Sequence, residues 1–247
     1  YRVVMDRPEL STDEVYRILD GLAEAGTLFI TFSGGEIFMR RDFVDVARRA
    51  RELGFALRLL TTATMVNESL AGEIASWKPL AVLVSIYGAH PEIHDSITLR
   101  KGSFEKSVRG IRLLNERGVR TYMNMPIMKQ NQDQYRDVMA LGEKIGAKLR
   151  SDLSIVPKDN GDRSPQNLRL MPPELACFIK DTTPGFAEEF VLRDYQDSDP
   201  LCGAGSSSAY ISPYGDLMPC EAMRVPLGNL RARSFQDLWG EESLRQI

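Results

Sequence analysis

The order of apolar and polar positions predicts alternating helices and strands over residues 1–157. The first amphipathic stretch places Ser11 and Glu14 where a helix capping box needs them, and Gly26 ends it. Its apolar stripe consists of Val15, Ile18, Leu19 and Leu22. The run Thr27–Phe32 that follows contains only β-branched, aromatic and aliphatic residues. It predicts a strand that is buried on both faces.

The same alternation continues as far as Val156. The further predicted strands are 55–62, 80–86, 119–127 and 147–156. Four helices are predicted between them. The first begins after Asp42, which would cap it, and the others lie at 67–77, from Gly102 to Gly118, and at 132–146. Strands that alternate with helices predict an α/β fold with a parallel sheet and right-handed crossovers. Five strands, with a sixth expected before Tyr1, favour a partial (β/α)6 barrel, although the pattern alone leaves a flat doubly wound sheet open.

The composition changes after this predicted barrel. Residues 158–200 form a polar connector that is rich in turn-forming residues, with one short predicted helix at 175–180. A second, smaller module occupies 201–247. In it, two short predicted strands flank the turn Pro213–Asp216 and form a β-hairpin, and a helix follows.

Bulk composition narrows the functional classes. The chain of 247 residues has a net charge of −3 and a pI near 5.6, which argues against a nucleic acid or a membrane surface recruited by charge. It has no apolar run of about 18 residues that could span a bilayer, and only three cysteines, which do not fit a secreted disulfide framework. We therefore expect a cytoplasmic protein. Tyr1 is not a methionine and Ile247 falls inside a predicted helix, so we also expect a piece of a longer chain.

Small or polar residues recur where the predicted strands end. They are Ser33, Gly34, Gly35, Glu36, Thr61, Thr62, Ser85, Asn124 and Ser154. In a β/α fold, ligands collect at the carboxyl ends of the strands. Two adjacent glycines let backbone approach a ligand closely, and the carboxylate that follows them can receive an ammonium group. An ordinary strand-to-loop exit is the alternative for Gly-Gly-Glu alone, but polar residues at five strand ends favour a polar ligand across the sheet.

Two of the three cysteines flank the predicted hairpin. Cys202 precedes it and Cys220 follows it, so the hairpin could bring both sulfurs to one end. Half-buried structural thiols and metal ligation both remain open at this point, and a reducing compartment disfavours a disulfide. Two thiolates do not complete a metal site, so further ligands would lie beyond Ile247. The third, Cys177, is predicted to be a small buried side chain on a helix.

The two histidines receive no ligand role. His90 and His94 are spaced as a metal-binding pair on a helix would be, but Pro91 between them predicts a local turn instead.

Taken in order, these residues carry a resemblance to a known family. The chain resembles the radical S-adenosylmethionine (radical SAM) enzymes that have a C-terminal SPASM or twitch module. The stretches that carry the resemblance are SGGE at Ser33–Glu36, TTAT at Thr61–Thr64, VSIYGAHPEIHDSI at Val84–Ile97, KGSFEKS at Lys101–Ser107, MKQN at Met128–Asn131, CGAGSSSAYISPYGDLMPC at Cys202–Cys220 and VPLGNLRARSFQDLW at Val225–Trp239.

The resemblance implies a barrel that holds a [4Fe–4S] cluster and S-adenosylmethionine. Gly34 and Gly35 would contact the methionine ammonium, with Glu36 adjacent. Ser85 and Asn124 would touch the ribose or the carboxylate, and Tyr1 would lie by the adenine. Cys202 and Cys220 would bind an auxiliary iron–sulfur cluster. The implied partners are a peptide substrate and an electron donor such as flavodoxin or ferredoxin, with no nucleic acid and no membrane.

The sequence departs from the family pattern in three places. The CxxxCxxC motif of the catalytic cluster is absent and would end just before Tyr1, and the later cysteines of the auxiliary clusters are absent too. Thr98 stands where relatives often have an arginine, which puts that carboxylate contact in doubt.

The resemblance leaves three functional hypotheses. The leading hypothesis is a maturase that abstracts hydrogen from a ribosomally made peptide. An enzyme of cofactor biosynthesis or protein activation is the alternative within the family. A non-catalytic binding or scaffold domain without the cluster is the alternative from another class.

Overall fold

The computed structural model describes residues 7–158, 161–182 and 202–240. Its α-helices are α1 (Thr12–Glu24), α2 (Phe43–Glu52), α3 (Glu68–Ser76), α4 (Pro91–Thr98), α5 (Ser103–Asn115), α6 (Tyr135–Ile145), α7 (Pro172–Thr182) and α8 (Phe235–Trp239). Its strands are β1 (Phe29–Phe32), β2 (Ala56–Thr61), β3 (Ala81–Ser85), β4 (Thr121–Pro126), β5 (Lys148–Asp152), β6 (Tyr210–Ile211), β7 (Asp216–Met218) and β8 (Gly228–Asn229).

Five parallel strands form the main sheet in the order β1-β2-β3-β4-β5. Each strand pairs with the next strand in the sequence, so the chain winds in one direction and never reverses. A doubly wound sheet would contain a reversal of strand order. The predicted α/β class is therefore confirmed, and the strand order selects the barrel type of sheet that the pattern alone left open.

The two faces of this sheet differ. Leu57, Leu59, Val84 and Met123 point to one face, are 0% exposed, and pack into the core formed with the helices. The side chains that alternate with them point to the opposite face, which we call the inner face. Its residues are Phe29, Thr31, Ala56, Arg58, Leu60, Ala81, Leu83, Ser85, Tyr122, Asn124, Pro126, Lys148, Arg150 and Asp152. Many of them are partly or fully exposed.

Strand β1 is less buried than the sequence predicts. Leu28 and Phe29 are 68% and 64% exposed, and only the face of Ile30 and Phe32 packs against the core. The expectation of burial on both faces is wrong because β1 lies at one margin of the sheet and its inner face meets no layer among the described residues. The sixth strand expected before Tyr1 stays a prediction.

The capping box of α1 is present: the backbone N–H of Glu14 donates to Ser11 Oγ, and Glu14 Oε2 accepts from the Ser11 backbone N–H at 2.7 Å. Asp42 occupies the N-cap position of α2, but its side chain makes no capping bond. It instead accepts from Thr12 at 2.5 Å and from Arg40 at 2.8 Å. The predicted cap is therefore a tertiary link between α1 and the start of α2.

Two further predictions fail. The stretch predicted as a turn around Pro91 is helix α4, because proline is well tolerated in the first turn of a helix. Cys177 is on the predicted helix α7, but it is exposed rather than buried. Within the described residues α7 buries no side chain fully, so the helix pattern there did not mark a core position.

The second module is a three-stranded antiparallel sheet followed by α8. Strands β6 and β7 pair antiparallel around the turn Pro213–Asp216, which confirms the predicted hairpin, and β8 pairs with β7. Leu217 and Leu238 are 0% exposed and join the same core as the barrel. The module therefore packs directly against the first helix of the barrel.

Candidate functional site

The loop after β1 has space around it that the chain does not fill. Gly34 and Gly35 are exposed, and a Cβ atom added to either would meet no described atom within 4 Å. Neither glycine adopts the left-handed backbone conformation that favours glycine. Backbone geometry and packing therefore do not explain the two glycines, whereas close approach of a ligand does.

Glu36 ties this loop to the end of β2. Its Oε1 accepts from Thr61 Oγ1 at 2.7 Å and from the Phe38 backbone N–H at 3.3 Å. Its Oε2 accepts from the backbone N–H of Thr62 at 2.8 Å and also from the Thr62 hydroxyl. These four donors use the acceptor capacity of the carboxylate. Glu36 thus acts as a brace between two strand ends, and its direct contact with an ammonium group stays a prediction.

Helix α5 packs against the loop after β2 and is joined to it by a hydrogen bond. Ser107 Oγ donates to the carbonyl oxygen of Thr62 at 2.6 Å. Ala63 has a φ of 55°, and a Cβ on Gly110 would lie 2.5 Å from its carbonyl oxygen. Gly110 is required by this close approach. Ser107 and Gly110 were missed in the sequence because nothing local links them to residues 61–63.

Ser85 and Asn124 lie side by side at the ends of β3 and β4. They are partners in the strand register, and both are half-buried on the inner face. Their side chains have no hydrogen-bond partner among the described residues. Two adjacent polar side chains near the open face can therefore bind a ligand without first breaking an internal bond.

The segment around α4 is structural. His94 is 1% exposed, its Nδ1 accepts from the Tyr87 backbone N–H at 3.2 Å, and burial lowers its pKa to about 4. Asp95 accepts from the backbone N–H of Phe104 and from the Ser103 hydroxyl, each at 2.9 Å, which joins α4 to α5. Thr98 Oγ1 lies 2.8 Å from Ser103 Oγ at the same contact between α4 and α5. These contacts give His94, Asp95 and Thr98 a structural role and do not indicate that they bind a ligand.

The two hairpin cysteines lie in a single loop system. Gly205 donates its N–H to the Pro219 carbonyl at 3.3 Å, which brings the segment after Cys202 against the residue before Cys220. Cys220 Sγ accepts the backbone N–H of Met223 at 3.1 Å. Such N–H donors stabilise negative charge on sulfur, as a metal-bound thiolate requires. Within the described parts of the chain, no group of three or more metal-ligating side chains is present.

Tyr1 lies outside the described residues. No helix in the described part of the chain is long and apolar enough to cross a membrane.

Comparisons with known proteins agree with this geometry. The family model of the Radical SAM superfamily matches residues 2–142, and the SPASM model, an iron–sulfur cluster-binding domain, matches residues 202–247. An AdoMet-dependent heme synthase of Methanosarcina barkeri is 25% identical over 94% of this chain and 73% of its own length. A PqqA peptide cyclase of Rhodopseudomonas palustris is 28% identical over 89% of this chain and 61% of its own length.

The fold also matches a solved structure. The crystal structure of Streptococcus suis SuiB bound to precursor peptide SuiA superposes with a TM-score of 0.76 at 16% identity, covering 98% of this chain and 60% of that one. Because the first family model covers more than half of the chain and the second covers the hairpin with both cysteines, the chain belongs to the radical SAM superfamily and carries a SPASM module.

Proposed function

We propose that this chain contains the cofactor- and substrate-binding core of an enzyme that removes a hydrogen atom from a peptide. One observation carries the proposal. Three polar features lie at the carboxyl ends of consecutive parallel strands: the open loop at Gly34–Gly35, the Thr61–Thr62 strand end that Glu36 holds, and the Ser85–Asn124 pair. The side chains of that pair have no hydrogen-bond partner among the described residues. This is where α/β barrels bind their ligands.

The residues fit S-adenosylmethionine. The backbone of Gly34 and Gly35, with Ser33 beside them, receives the amino-acid end of the cofactor. Ser85 and Asn124 donate to its ribose or its carboxylate. Glu36 keeps the glycine loop at a fixed distance from Thr61 and Thr62. When bound with a reduced [4Fe–4S] cluster, the cofactor supplies the radical that abstracts hydrogen.

We assign Cys202 and Cys220 to an auxiliary iron–sulfur cluster. The segment after Cys202 lies against the residue before Cys220, and Cys220 Sγ already has an N–H donor at 3.1 Å. A flavodoxin or ferredoxin delivers the electron.

The substrate is assigned as a peptide because two similar proteins act on or bind peptides by name. One is a PqqA peptide cyclase, and the other is bound to a precursor peptide. The likeness to a heme synthase favours the second candidate, an enzyme of cofactor biosynthesis.

The cofactor site is tested by Gly35→Val in the reconstituted holoenzyme. A branched side chain at Gly35 occupies the space that the loop leaves open, so S-adenosylmethionine affinity should fall at least tenfold in a calorimetric titration. Gly72→Val is the matched control, because Gly72 is an exposed glycine on α3 that also has no neighbour within 4 Å. Equal affinity in the Gly35 variant and the wild type would remove the glycine loop from the site.

The reaction class is tested separately. With dithionite as reductant, the holoenzyme should convert S-adenosylmethionine to 5′-deoxyadenosine, and peptides encoded beside its gene should accelerate this conversion. Deuterium placed on the peptide should appear in the 5′-deoxyadenosine. Acceleration by an iron tetrapyrrole, but by no peptide, would favour the cofactor-biosynthesis reading. Absence of 5′-deoxyadenosine under all these conditions would favour a binding domain.

A further inference from the structure

The inner face of the sheet carries three cationic side chains. Arg58, Lys148 and Arg150 are exposed there. Within the described parts of the chain, none of the three makes an ion pair or a side-chain hydrogen bond. The chain as a whole has a net charge of −3, so this local excess of cations is not a consequence of composition.

Some arginines elsewhere in the barrel form ion pairs. Arg48 binds Glu73 at 2.7 Å and Arg49 binds Asp20 at 2.6 Å on the helical surface, while Arg40 binds Asp42. Two carboxylates lie near the inner-face cations, and among the described residues neither forms an ion pair with them. Glu36 holds four donors, and Asp152 accepts the backbone N–H of Ser154 at 2.8 Å and is not within ion-pair distance of Arg150.

Strand register gives the position of Arg150. Ser85 pairs with Asn124, and Asn124 pairs with Arg150, so the three residues form one row across β3, β4 and β5. Neighbouring strands lie about 4.8 Å apart, which places the Cα of Arg150 about 10 Å from that of Ser85. Lys148 lies on the same face, about 7 Å from this row toward the amino ends of the strands. Arg58 lies about 13 Å from the row in the same direction.

We propose that Arg150, assisted by Lys148, binds a carboxylate of the ligand that lies against the Ser85–Asn124 row. The planar guanidinium presents two parallel N–H donors that match a carboxylate, and the ammonium of Lys148 adds charge without directional demand. The carboxylate belongs either to the methionine part of S-adenosylmethionine or to an acidic side chain of the substrate. This inference rests on the proposed function, because that function places both ligands on the inner face.

The test uses two pairs of probes, and the members of each pair differ in the carboxylates that they carry. The first pair is S-adenosylmethionine and decarboxylated S-adenosylmethionine. The second is a synthetic tetraglutamate peptide and its tetraglutamine counterpart, titrated into the holoenzyme with S-adenosylmethionine bound. The wild-type holoenzyme should prefer the carboxylate member of at least one pair by about tenfold or more. The pair that shows this preference identifies the source of the carboxylate.

Arg150→Gln should abolish the preference, and Arg150→Lys should restore part of it. Arg58→Gln is the matched control. It removes an exposed cation that makes no ion pair among the described residues, from the same face but far from the row. It should leave the preference intact. Thermal unfolding should be nearly unchanged in all three variants, since the side chains are exposed.

The proposal is overturned if the wild type shows no preference within either pair. It is also overturned if the wild type and Arg150→Gln show an equal preference. Loss of preference in both Arg150→Gln and Arg58→Gln would show a diffuse charge effect and would also overturn it. In each of these cases, continued formation of 5′-deoxyadenosine by the wild type would leave the proposed function standing.

Discussion

The barrel and the C-terminal module are held in place by different forces. The barrel sheet is buried on its helical face by apolar side chains such as Leu57, Leu59 and Val84, each 0% exposed. The module contributes fewer such residues to the shared core, Leu217 and Leu238 among them, and it also makes polar ties to the barrel. Arg7 pairs with Asp216, and Arg231 binds Glu14 at 2.7 Å. The barrel should therefore remain folded under conditions that loosen the module.

The polar ties are built around two carboxylates. Hydrogen bonding to Arg231 lowers the pKa of Glu14 to about 2. Burial would raise the pKa of Asp216, but hydrogen bonds from Asn229 and Arg7 outweigh it, so that pKa is lowered. Both carboxylates are thus charged at neutral pH. Part of the module attachment therefore depends on charge, whereas the barrel sheet depends on the exclusion of water.

The chain contains a natural probe for each region. Trp77 lies in the barrel core and Trp239 ends α8 in the module, and they are the only tryptophans in the sequence. Trp77→Phe and Trp239→Phe variants therefore report the unfolding of one region at a time by fluorescence.

The largest effect is expected from Leu59→Ala. Leu59 is fully buried at the centre of the sheet, so its truncation should lower the free energy of unfolding by about 2–5 kcal/mol in urea titrations. Both tryptophan signals should shift, because the module packs on the barrel. Leu60→Ala, one residue on and on the inner face, should cost much less. A shift of the module signal alone would contradict the comparison.

The second effect depends on pH and concerns the barrel. The pKa of His94 falls from an ordinary 6.5 to about 4 on folding, so the unfolded chain binds a proton that the folded chain does not. The contribution of neutral His94 is complete above pH 6.5 and is lost as pH falls toward 4, by about 3 kcal/mol in total. His94→Asn should flatten this part of the Trp77 stability profile. An unchanged slope would show that other groups cause it.

The third effect concerns the loop after β2. Gly110→Ala brings a methyl group against the Ala63 carbonyl oxygen and should cost about 1–3 kcal/mol. It should also weaken S-adenosylmethionine binding, because the loop includes Thr61 and Thr62. Gly72→Ala has open space and should be neutral or slightly stabilising. Normal cofactor affinity in a destabilised Gly110 variant would separate the loop from the site.

The smallest effect should be confined to the module. Arg231→Gln removes the pair with Glu14, so the Trp239 signal should shift to lower urea while the Trp77 signal stays. High salt should weaken the same tie in the wild type. Because the pKa of Glu14 is depressed, the tie is complete above pH 4.5 and is lost as pH falls toward 2. Equal shifts of both signals would show that the two regions unfold as one unit.

Sequence reasoning reached the parts of the fold that are encoded locally. The capping box of Ser11 and Glu14, the strands β2, β3 and β4, and the hairpin at Pro213–Asp216 depend on neighbouring residues, and they were predicted. The burial of β1 was not, because it depends on what lies beside the strand in space. The proline of α4 was read as a breaker although the first turn of a helix accepts it.

The site shows the same division. Ser85 and Asn124 were selected because each ends a predicted strand, and the register places them together. Arg150 belongs to the same row, but it lies inside a strand and carries no local signal. The brace at Glu36 was missed for a similar reason, since its partners Thr61 and Thr62 are 25 and 26 residues away.

The sequential order of the five strands has a consequence for synthesis on the ribosome. Every pairing in the main sheet joins strands that are neighbours in the chain, so each βα unit can add to the previous one as it emerges. The contacts of Arg7 with Asp216 and of Glu14 with Arg231 span 209 and 217 residues. Arg7 and Glu14 therefore lack these partners until the module has been translated.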